Sequence, residues 1–352
     1  MLELTLDNVE SYLRDQGKLP DGKPVEISRL PGGVSNEVFL FHFPEQTEKN
    51  FVLKQAREQL RTPTPWFADL DRIWQEVEVL HICHELLTPQ SEDDPVRVAH
   101  TPAVLFEDRE QYAFAMEAAP PGHTVWKSDL LAGKISTENA EYCGSLMGRL
   151  HAKSWHQTEL ADRLGKYAHF EDLRLDPYYR TLGENVPSLK AACEDLIEEN
   201  LTEKHCFVHA DFSPKNILCH EKCLILIDFE TGHHGDPAFD LGFFLTHLML
   251  KAFYHAPDSR QMLLLTLYFW EHYLEEVQQA LTEEEIDQLM VRAIKNFAGC
   301  FLSRMDAKSR IDYLTRPEMR HAVRGLGHSL LLNPVNDWTD VIYQTDEWLN
   351  IV

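Results

Sequence analysis

The sequence lacks the features that mark membrane-spanning and secreted proteins. No apolar run approaches the roughly 20 residues that a membrane helix needs. The longest candidate, residues 241–253, is interrupted by Thr246, His247 and Lys251. Residues 1–13 have neither a basic region nor an apolar core, so we expect no secretory signal. Internal repeats and low-complexity segments are absent too, which excludes collagen-like repeats and long disorder.

Basic residues are scarce. The chain has 33 Lys and Arg against 57 Asp and Glu, a formal net charge of −24, and it shows no basic stripe. This balance argues against nucleic acid and anionic membranes as main partners. It still allows a small anionic ligand in a locally positive pocket.

The cysteines form no disulfide or zinc framework. They are seven in number and scattered, and the close pair Cys219 and Cys223 has no second pair at zinc-finger spacing. We therefore expect free thiols in a reducing compartment, and a cytoplasmic protein.

The chain does have the length and composition of a globular protein. Its 352 residues correspond to two domains at about 150 residues per domain. Hydrophobic residues make up 44% and charged residues 26%. A chain of this size can bury a large core without disulfides or a structural metal.

The first third of the chain has the pattern of a small sheet. Short runs rich in β-branched and aromatic residues alternate with turn formers, and they predict strands at 25–30, 37–43, 51–54, 103–107 and 112–117. A short helix is expected at 9–14 and a longer one at 69–87. We predict a mostly antiparallel sheet that carries one main helix. The Pro/Gly-rich segment 118–124 is the expected hinge, which gives domains 1–118 and 119–352.

The rest of the chain is mainly helical. A helix is expected at 139–155, and Thr282 with Glu285 predicts a capping box at the start of another. Between these helices lies one non-helical segment, Cys206–Gly235, which holds most of the candidate chemistry.

Two runs of β-forming residues in this segment, 217–219 and 224–227, predict a hairpin. A hairpin brings its outer ends together, so Asn216 and Asp228 should lie side by side, with Asp211 slightly upstream. Two carboxylates and an amide oxygen are hard ligands of the kind that suits Mg²⁺. The remaining carboxylate could orient a hydroxyl and accept its proton.

The segment His209–Asn216 resembles the catalytic loop H-x-D-x-x-x-x-N of the protein-kinase-like fold, and Asp228-Phe229-Glu230 resembles its metal-binding triplet. With the later GDPAFDLG, the pattern is similar to that of the aminoglycoside phosphotransferase and choline kinase superfamily. The resemblance implies an α+β, bilobal kinase-like fold and transfer of a phosphoryl group from ATP to a hydroxyl of a small molecule. Asp211 would be catalytic, and Asn216 and Asp228 would hold Mg²⁺.

The same resemblance assigns nucleotide-binding positions in the first third of the chain. A turn over the ATP phosphates would contain Gly32, Gly33, Ser35 and Asn36, where missing side chains let backbone N–H groups approach oxygen. The adenine-binding linker would be Met116, Glu117 and Ala118, acting through backbone groups. Lys54 would bind the phosphates.

The helix phase selects a partner for Lys54. At about 100° per residue, Leu70, Ile73, Val77, Leu80 and Leu87 form one apolar stripe. Glu76 then lies about 60° from the centre of the stripe, at the edge of the buried face, and Glu78 about 140° away, in solvent. Glu76 is therefore the predicted partner, as the family pattern also implies.

Other polar residues have simpler interpretations. We expect His209 to be structural, Asp240 to brace the catalytic loop, and His233 and His234 to lie in a polar loop. The basic residues of the C-terminal third form a solvated face by default, with contact to an anionic substrate as the alternative; they are Arg304, Lys308, Arg316, Arg320 and Arg324.

Two other functions remain open. One is a metal-dependent phosphohydrolase using His209, Asp211, Asp228 and the His233–His234 pair, and the other is an inactive nucleotide-binding regulator. The acceptor of a kinase is also open among aminoglycosides, choline-like amines, methylthioribose, other sugars and amino alcohols. The chain lacks the altered loop and triplet of methylthioribose kinases, which counts against that acceptor.

Overall fold

The computed structural model describes residues 1–19, 24–30, 36–59, 69–89, 98–165, 168–221 and 223–351. Contacts divide the chain into two compact units, Met1–Glu85 with Thr101–His123 and Leu86–His100 with Thr124–Val352. No helix in these described ranges is long and apolar enough to cross a membrane.

The strands are, in chain order, β1 (Glu26–Arg29), β2 (Asn36–His42), β3 (Phe51–Ala56), β4 (Ala99–His100), β5 (Val104–Asp108), β6 (Ala113–Glu117), β7 (Thr124–Val125), β8 (Cys206–Val208), β9 (Ile217–His220), β10 (Cys223–Leu226) and β11 (His233–Gly235).

The α-helices are α1 (Val9–Asp15), α2 (Arg72–Leu86), α3 (Trp126–Leu131), α4 (Thr137–Ser154), α5 (Thr158–Leu164), α6 (Ala168–Phe170), α7 (Thr181–Asn185), α8 (Lys190–Thr202), α9 (Ala238–His255), α10 (Arg260–Val277), α11 (Glu283–Asp306), α12 (Pro317–Leu332) and α13 (Trp338–Ile351). Short 3₁₀ turns occupy Thr47–Lys49, Pro187–Leu189 and Pro214–Asn216, and Glu171–Arg180 is a π-helix.

The first unit contains one antiparallel sheet. Its strand order is β1-β2-β3-β6-β5, so β3 is the central strand, and all six of its residues are buried. Aromatic residues dominate the core, where Phe41 and Phe51 stack with their ring centroids 4.5 Å apart. Val9 and Leu13 of α1 are buried in the same core. The predicted antiparallel sheet with one main helix, α2, is confirmed.

The division between the units differs from the predicted one. The boundary follows His123 instead of residue 118, and Leu86–His100 belongs to the second unit. The reason is long-range strand pairing: β4 pairs in parallel with β10, with Ala99 opposite Leu224. Such a pairing leaves no local signal in the sequence.

The second unit is built around α9, which is buried over almost its whole length and packs against α10 and α11. The approach of α9 to α11 requires Gly242, because a Cβ there would lie 2.4 Å from the backbone nitrogen of Phe297. Glycine thus allows the close packing of α9 against α11. The predicted capping box is present, since Thr282 and Glu285 bond each other's backbone N–H at the start of α11.

Two small sheets complete the second unit. The hairpin β9–β10 is confirmed, but it is the centre of a four-stranded sheet, β4-β10-β9-β7, and not an isolated ribbon. The second sheet pairs β11 with β8 and places His233 opposite Val208 and His234 opposite Phe207. Both histidines are buried. The expectation of a polar loop at this pair is therefore wrong.

Candidate active site

Lys54 and Glu76 form a buried ion pair in the first unit. The Lys54 Nζ lies 2.5 Å from Glu76 Oε1. Lys54 is in the middle of the central strand, opposite Val38 on β2 and Phe114 on β6, and Glu76 is on α2. The predicted pairing is confirmed.

The position of Glu76 on its helix differs from the prediction. Glu76 is only 1% exposed and lies well inside the buried face, not at its margin. The buried face of α2 is wider than the predicted apolar stripe, because Val79, Ile82 and Cys83 are also buried. Glu78 is half-buried and not fully in solvent, for the same reason. A buried pair of this kind loses more when one partner is removed than an exposed pair does.

The expected phosphate turn is only partly described. Gly32, Gly33 and Ser35 lie outside the described residues. Asn36, the first residue of β2, is buried, and no donor in the described part of the chain bonds its side-chain Oδ1.

The predicted adenine linker ends β6. The N–H of Glu117 donates to the carbonyl of Ala103 at 3.0 Å, and the N–H of Ala118 donates to that of Asn50 at 3.2 Å. Met116 is buried within the sheet. Two backbone donors of this segment are thus engaged inside the first unit, and an adenine would have to displace their acceptors or use other backbone atoms.

The candidate catalytic loop lies in the second unit, between β8 and β9, and a buried carboxylate fixes its shape. One oxygen of Asp240, in the first turn of α9, accepts from the N–H of His209 and the other from the N–H of Ala210, both at 2.7 Å. Ala210 has φ +60°, a left-handed conformation that is unfavourable for a residue with a side chain. The two hydrogen bonds hold it there, so the expectation that Asp240 braces this loop is confirmed.

Asp211 follows this turn and has a dense set of partners. One oxygen lies 2.9 Å from Arg174, and the other lies 2.7 Å from Lys215 and accepts from Asn216 Nδ2 at 2.8 Å. Burial raises the pKa of this carboxyl, but the charges of Arg174 and Lys215 outweigh it and lower the pKa to about 2. Asp211 is therefore ionised at any physiological pH.

Sequence reasoning missed Arg174. This residue belongs to the π-helix Glu171–Arg180, and its guanidinium also donates to the carbonyls of Ala210 and Leu173. Burial lowers the pKa of this group and the Asp211 carboxylate raises it, with a net rise. The segment has no family motif and no clear periodicity, so no local signal singled Arg174 out.

Asn216 and Asp228 lie at the same open end of the hairpin, Asn216 just before β9 and Asp228 just after β10, as predicted. The N–H of Ile227 donates to the carbonyl of Asn216 at 3.0 Å, and Asp228 lies two residues beyond the end of β10. Asp228 has φ +72°, an uncommon conformation that often marks functional positions. Its half-buried carboxylate makes no hydrogen bond or ion pair with any described residue.

The donor set at this point fits Mg²⁺. The Nδ2 of Asn216 bonds Asp211, so its Oδ1 is directed away from that carboxylate. Asn216 Oδ1 and the Asp228 carboxylate are two hard oxygen ligands that no donor in the described ranges engages. Magnesium is commonly held by one or two such groups together with water and substrate phosphate oxygens.

The histidines of the region are structural in their contacts. The His209 ring accepts a hydrogen bond from the N–H of Asp211, and burial lowers its pKa. The His233 ring stacks on Phe170 at 4.2 Å, and its Nδ1 lies 3.0 Å from the carbonyl of Thr231. Among the described residues, no three His, Cys, Asp or Glu side chains form a metal-binding group.

The antiparallel sheet with one helix, followed by a helical unit with the loop and hairpin, defines the architecture of small-molecule kinases with a protein-kinase-like fold. The chain belongs to the phosphotransferase enzyme family, whose family model matches residues 26–279.

Two curated relatives share the name methylthioribose kinase. The chain is 28% identical over 285 residues to a methylthioribose kinase of Escherichia coli O45:K1, a match that covers 71% of this chain and 64% of that protein. It is 24% identical over 369 residues to a methylthioribose kinase of Enterobacter, covering 95% of this chain and 88% of that protein. The chain thus spans less than two thirds of the length of the first of these relatives.

Solved structures share the fold at low identity. An ethanolamine kinase of Plasmodium vivax is 15% identical, with a TM-score of 0.51 over 100% of this chain and 90% of that chain. An amicoumacin kinase is 14% identical, with a TM-score of 0.52 over 98% and 94%. These similarities show the fold alone.

Proposed function

We propose that this protein transfers the γ-phosphoryl group of ATP to a hydroxyl of a small molecule. One observation carries the proposal: the ionised carboxylate of Asp211 is held beside Asn216, whose amide oxygen and the Asp228 carboxylate remain open to a cation. In the reaction, the acceptor oxygen bonds the γ-phosphorus while the bond from that phosphorus to the bridging oxygen breaks. ADP leaves, and the hydroxyl proton passes to Asp211 and then to water.

Asp211 acts mainly by position in this proposal. A carboxylate with a pKa near 2 is a weak base, so it orients the hydroxyl and receives the proton only as the new bond forms. That role fits phosphoryl transfer, in which positioning and charge neutralisation provide most of the catalysis. Both oxygens of Asp211 are engaged. We expect the acceptor hydroxyl to replace Lys215, the more exposed of its two cationic partners.

Asn216 and Asp228 would hold Mg²⁺. When bound, the cation neutralises phosphate charge and helps to align the transferring group. In the first unit, Lys54 would pair with the phosphates of ATP, and Glu76 would fix the position of its ammonium group. Gly32, Gly33, Ser35 and Asn36 stay predictions for phosphate contacts, and Met116, Glu117 and Ala118 for adenine.

Two observations bear on the acceptor and the compartment. The relatives named methylthioribose kinase support a sugar-like acceptor, against the expectation drawn from the loop and triplet.

The seven cysteines are free thiols, which supports the proposed cytoplasmic location because reducing conditions keep thiols in that state.

The hydrolase alternative has less support. It needs the imidazoles of His233 and His234 as ligands, but the His233 ring is stacked and bonded to a backbone carbonyl. The regulator alternative predicts nucleotide binding without turnover.

The proposal is tested by measuring ADP release over a panel of hydroxylated metabolites with Mg-ATP, for the wild type and Asp211→Asn. Acceptor-dependent ADP release that the variant loses supports a kinase. Mg-ATP that raises the melting temperature while no acceptor is phosphorylated would support the regulator instead. Hydrolysis of phosphate esters in the absence of ATP would support the hydrolase.

A further inference from the structure

The second unit contains a group of cations that have no carboxylate partner among the residues the structure describes. The ammonium groups of Lys251 on α9 and Lys127 on α3 lie over the phenol ring of Tyr313, which is in the segment between α11 and α12. The positive charge of Arg304 on α11 is close enough to influence the pKa of both Lys251 and Tyr313. The Nζ atoms of Lys251 and Lys127 lie 5.7 and 6.0 Å from the centroid of that ring. None of the three cations forms a salt bridge in the described part of the chain. We call these four residues the cationic cluster.

Lys251 is the most unusual member. It is 0% exposed, and its ammonium group donates to the carbonyl of His247, a neutral acceptor, at 2.8 Å. Burial and the nearby charges of Lys127 and Arg304 lower its pKa to about 7. A buried cation without a counter-ion is costly, and such groups normally have one.

Further polar atoms around the cluster are unsatisfied. His247 Nε2, Arg304 Nε and the Tyr313 hydroxyl are buried and have no hydrogen-bond partner among the described residues. His247 is more than nine-tenths buried, and burial together with Arg304 and Lys251 lowers its pKa, so it is neutral. Buried polar groups in folded proteins nearly always have partners. Three such atoms, near an ammonium group that has no salt-bridge partner among the described residues, are available to bond a ligand.

The cluster is connected to the candidate catalytic residue. Phe243, His247 and Lys251 follow one another at four-residue steps along α9 and so lie on one face of that helix. The guanidinium of Arg174, which bonds Asp211, lies 5.7 Å from the ring centroid of Phe243, and that ring lies 4.9 Å from the ring of His247. Asp211, with its partner Arg174, is therefore linked to the cluster by a short series of direct contacts.

The carboxylates near the cationic cluster do not neutralise it, because each already has basic partners. Asp306 is bonded by Arg324 at 2.7 Å. Asp176 is bonded by Lys308 at 2.9 Å and by Arg180 at 3.2 Å. These basic residues are occupied elsewhere, as is Arg316, which donates to carbonyls at the end of α9. Lys308 is still 62% exposed, as expected for a solvated face, whereas Arg316 is half-buried and bonded to backbone carbonyls, so the expectation of a solvated face is wrong for Arg316. Arg304 differs, since its partners are the hydroxyls of Tyr178 and Ser309.

We propose that the phosphoryl acceptor carries an anionic group, a carboxylate or a phosphate, and that Lys251, Arg304 and Tyr313 bind it while its hydroxyl is presented to Asp211. This inference rests on the proposed function and narrows the acceptor to acidic hydroxy compounds. It accounts for an ammonium group kept in the interior of a chain whose net charge is −24. Lys127, which is half-buried, lies at the outer side of the cluster.

The first experiment tests the anion site without an acceptor. Inorganic phosphate is titrated by calorimetry in saturating Mg-AMP-PNP, which occupies the nucleotide site, for the wild type, Lys251→Met and Lys295→Met. Lys295 is the matched control because it is also a helix lysine, on α11, but is paired with Glu199 at 3.0 Å. Lys251→Met should weaken phosphate binding roughly 30-fold or more, as loss of a buried charge partner does, and Lys295→Met should not. Equal phosphate binding by all three proteins would overturn the proposal.

The second experiment tests the acceptor class with matched pairs: ribose and ribose 5-phosphate, glycerol and glycerate, ethanolamine and serine. At least one acidic member should give a kcat/KM more than about tenfold above that of its partner, and Lys251→Met should remove this preference mainly through KM. Preference for the uncharged or cationic members would contradict the proposal of an acidic acceptor, although the protein would still be a kinase. Phosphate binding that depends on Lys251, with no ATP use on any acceptor, would retain the anion site and contradict the proposed function.

Discussion

The guanidinium of Arg174 lies 2.9 Å from one carboxylate oxygen of Asp211, and the two side chains come from segments 37 positions apart in the chain. The same guanidinium donates to the carbonyl of Ala210, the residue before Asp211. Arg174 thus fixes both the backbone and the side chain of the candidate catalytic residue. Its charge is the main influence that keeps the buried carboxyl ionised.

Arg174→Met should move the acid limb of the pH profile to higher pH. Without the guanidinium, burial raises the pKa of Asp211 from its value of about 2. Only the ionised form orients and deprotonates the acceptor, so activity is present above this pKa and is lost as the pH falls through it. The measurement is kcat/KM from acidic to neutral pH. An unchanged acid limb would show that Arg174 does not control the ionisation of Asp211.

Asp211→Asn should lower kcat on the order of 10²-fold or more, the usual contribution of a general base. The amide keeps the shape of the side chain but cannot accept the proton. Affinity for ATP should change little, because Asp211 is not a proposed ligand of the nucleotide. Single-turnover kinetics and nucleotide titration separate the two effects, and wild-type turnover would remove Asp211 from the catalytic role.

The Asp211 carboxyl also contributes to the stability of the folded protein at acidic pH. Its pKa falls from 3.8 in the unfolded chain to about 2 in the folded one. The stabilisation is therefore fully present above pH 3.8 and is lost as the pH falls towards 2. It amounts to about 2 kcal/mol, at about 1.4 kcal/mol per pKa unit. The loss of stability on acidification should be smaller for Asp211→Asn than for the wild type in urea titrations.

Asp228→Ala should abolish turnover and weaken binding of Mg-ATP far more than binding of metal-free ATP, because this carboxylate acts through the cation. EDTA should stop wild-type activity, and zinc-specific chelation should not. Calorimetric titration with and without Mg²⁺ measures the difference. Activity lost on zinc removal would favour the hydrolase, and Mg²⁺-dependent turnover by the variant would exclude Asp228 from the metal site.

Glu76→Ala should weaken ATP use strongly, because it leaves the ammonium group of Lys54 buried without its carboxylate. Loss of one partner from a buried pair costs about 3–5 kcal/mol, so the melting temperature should fall as well. The matched control is Glu85→Ala on the exposed face of the same helix, where a change within about 0.5 kcal/mol is expected. Equal effects of the two substitutions on ATP affinity would contradict the role of Glu76.

Lys251→Met should raise the stability of the ligand-free protein at pH 7. The pKa of Lys251 falls from 10.5 to about 7 on folding, so the unfolded chain binds more protons between these values and wild-type stability rises with pH across that window. At pH 7 nearly the whole penalty is present, on the order of a few kcal/mol at about 1.4 kcal/mol per pKa unit. Urea unfolding at pH 7 and at pH 10 measures it. A stability gain that does not shrink at the higher pH would contradict this assignment.

Sequence reasoning succeeded where the determinants are close together in the chain. The capping box needs only Thr282 and Glu285, and the hairpin needs two apolar runs and a turn, so local residues specify both. The spacing from His209 to Asn216, and from there to Asp228, fixes the loop and the convergence of these residues because the hairpin determines its own register. The pairing of Lys54 with Glu76 followed from helix phase, although the apolar stripe alone placed Glu76 at the margin of a buried face in which it is central.

Tertiary structure alone decided the contacts between distant segments. The π-helix brings Arg174 to Asp211, β4 joins the sheet of the hairpin, and the packing of α3 and α9 brings Lys127 and Lys251 to the ring of Tyr313. In the sequence these residues are isolated charges, each of which would be solvated by default. Which residues become their partners depends on which helix and sheet surfaces pack against one another. That choice depends on the whole core, and no periodicity or spacing within a short segment records it.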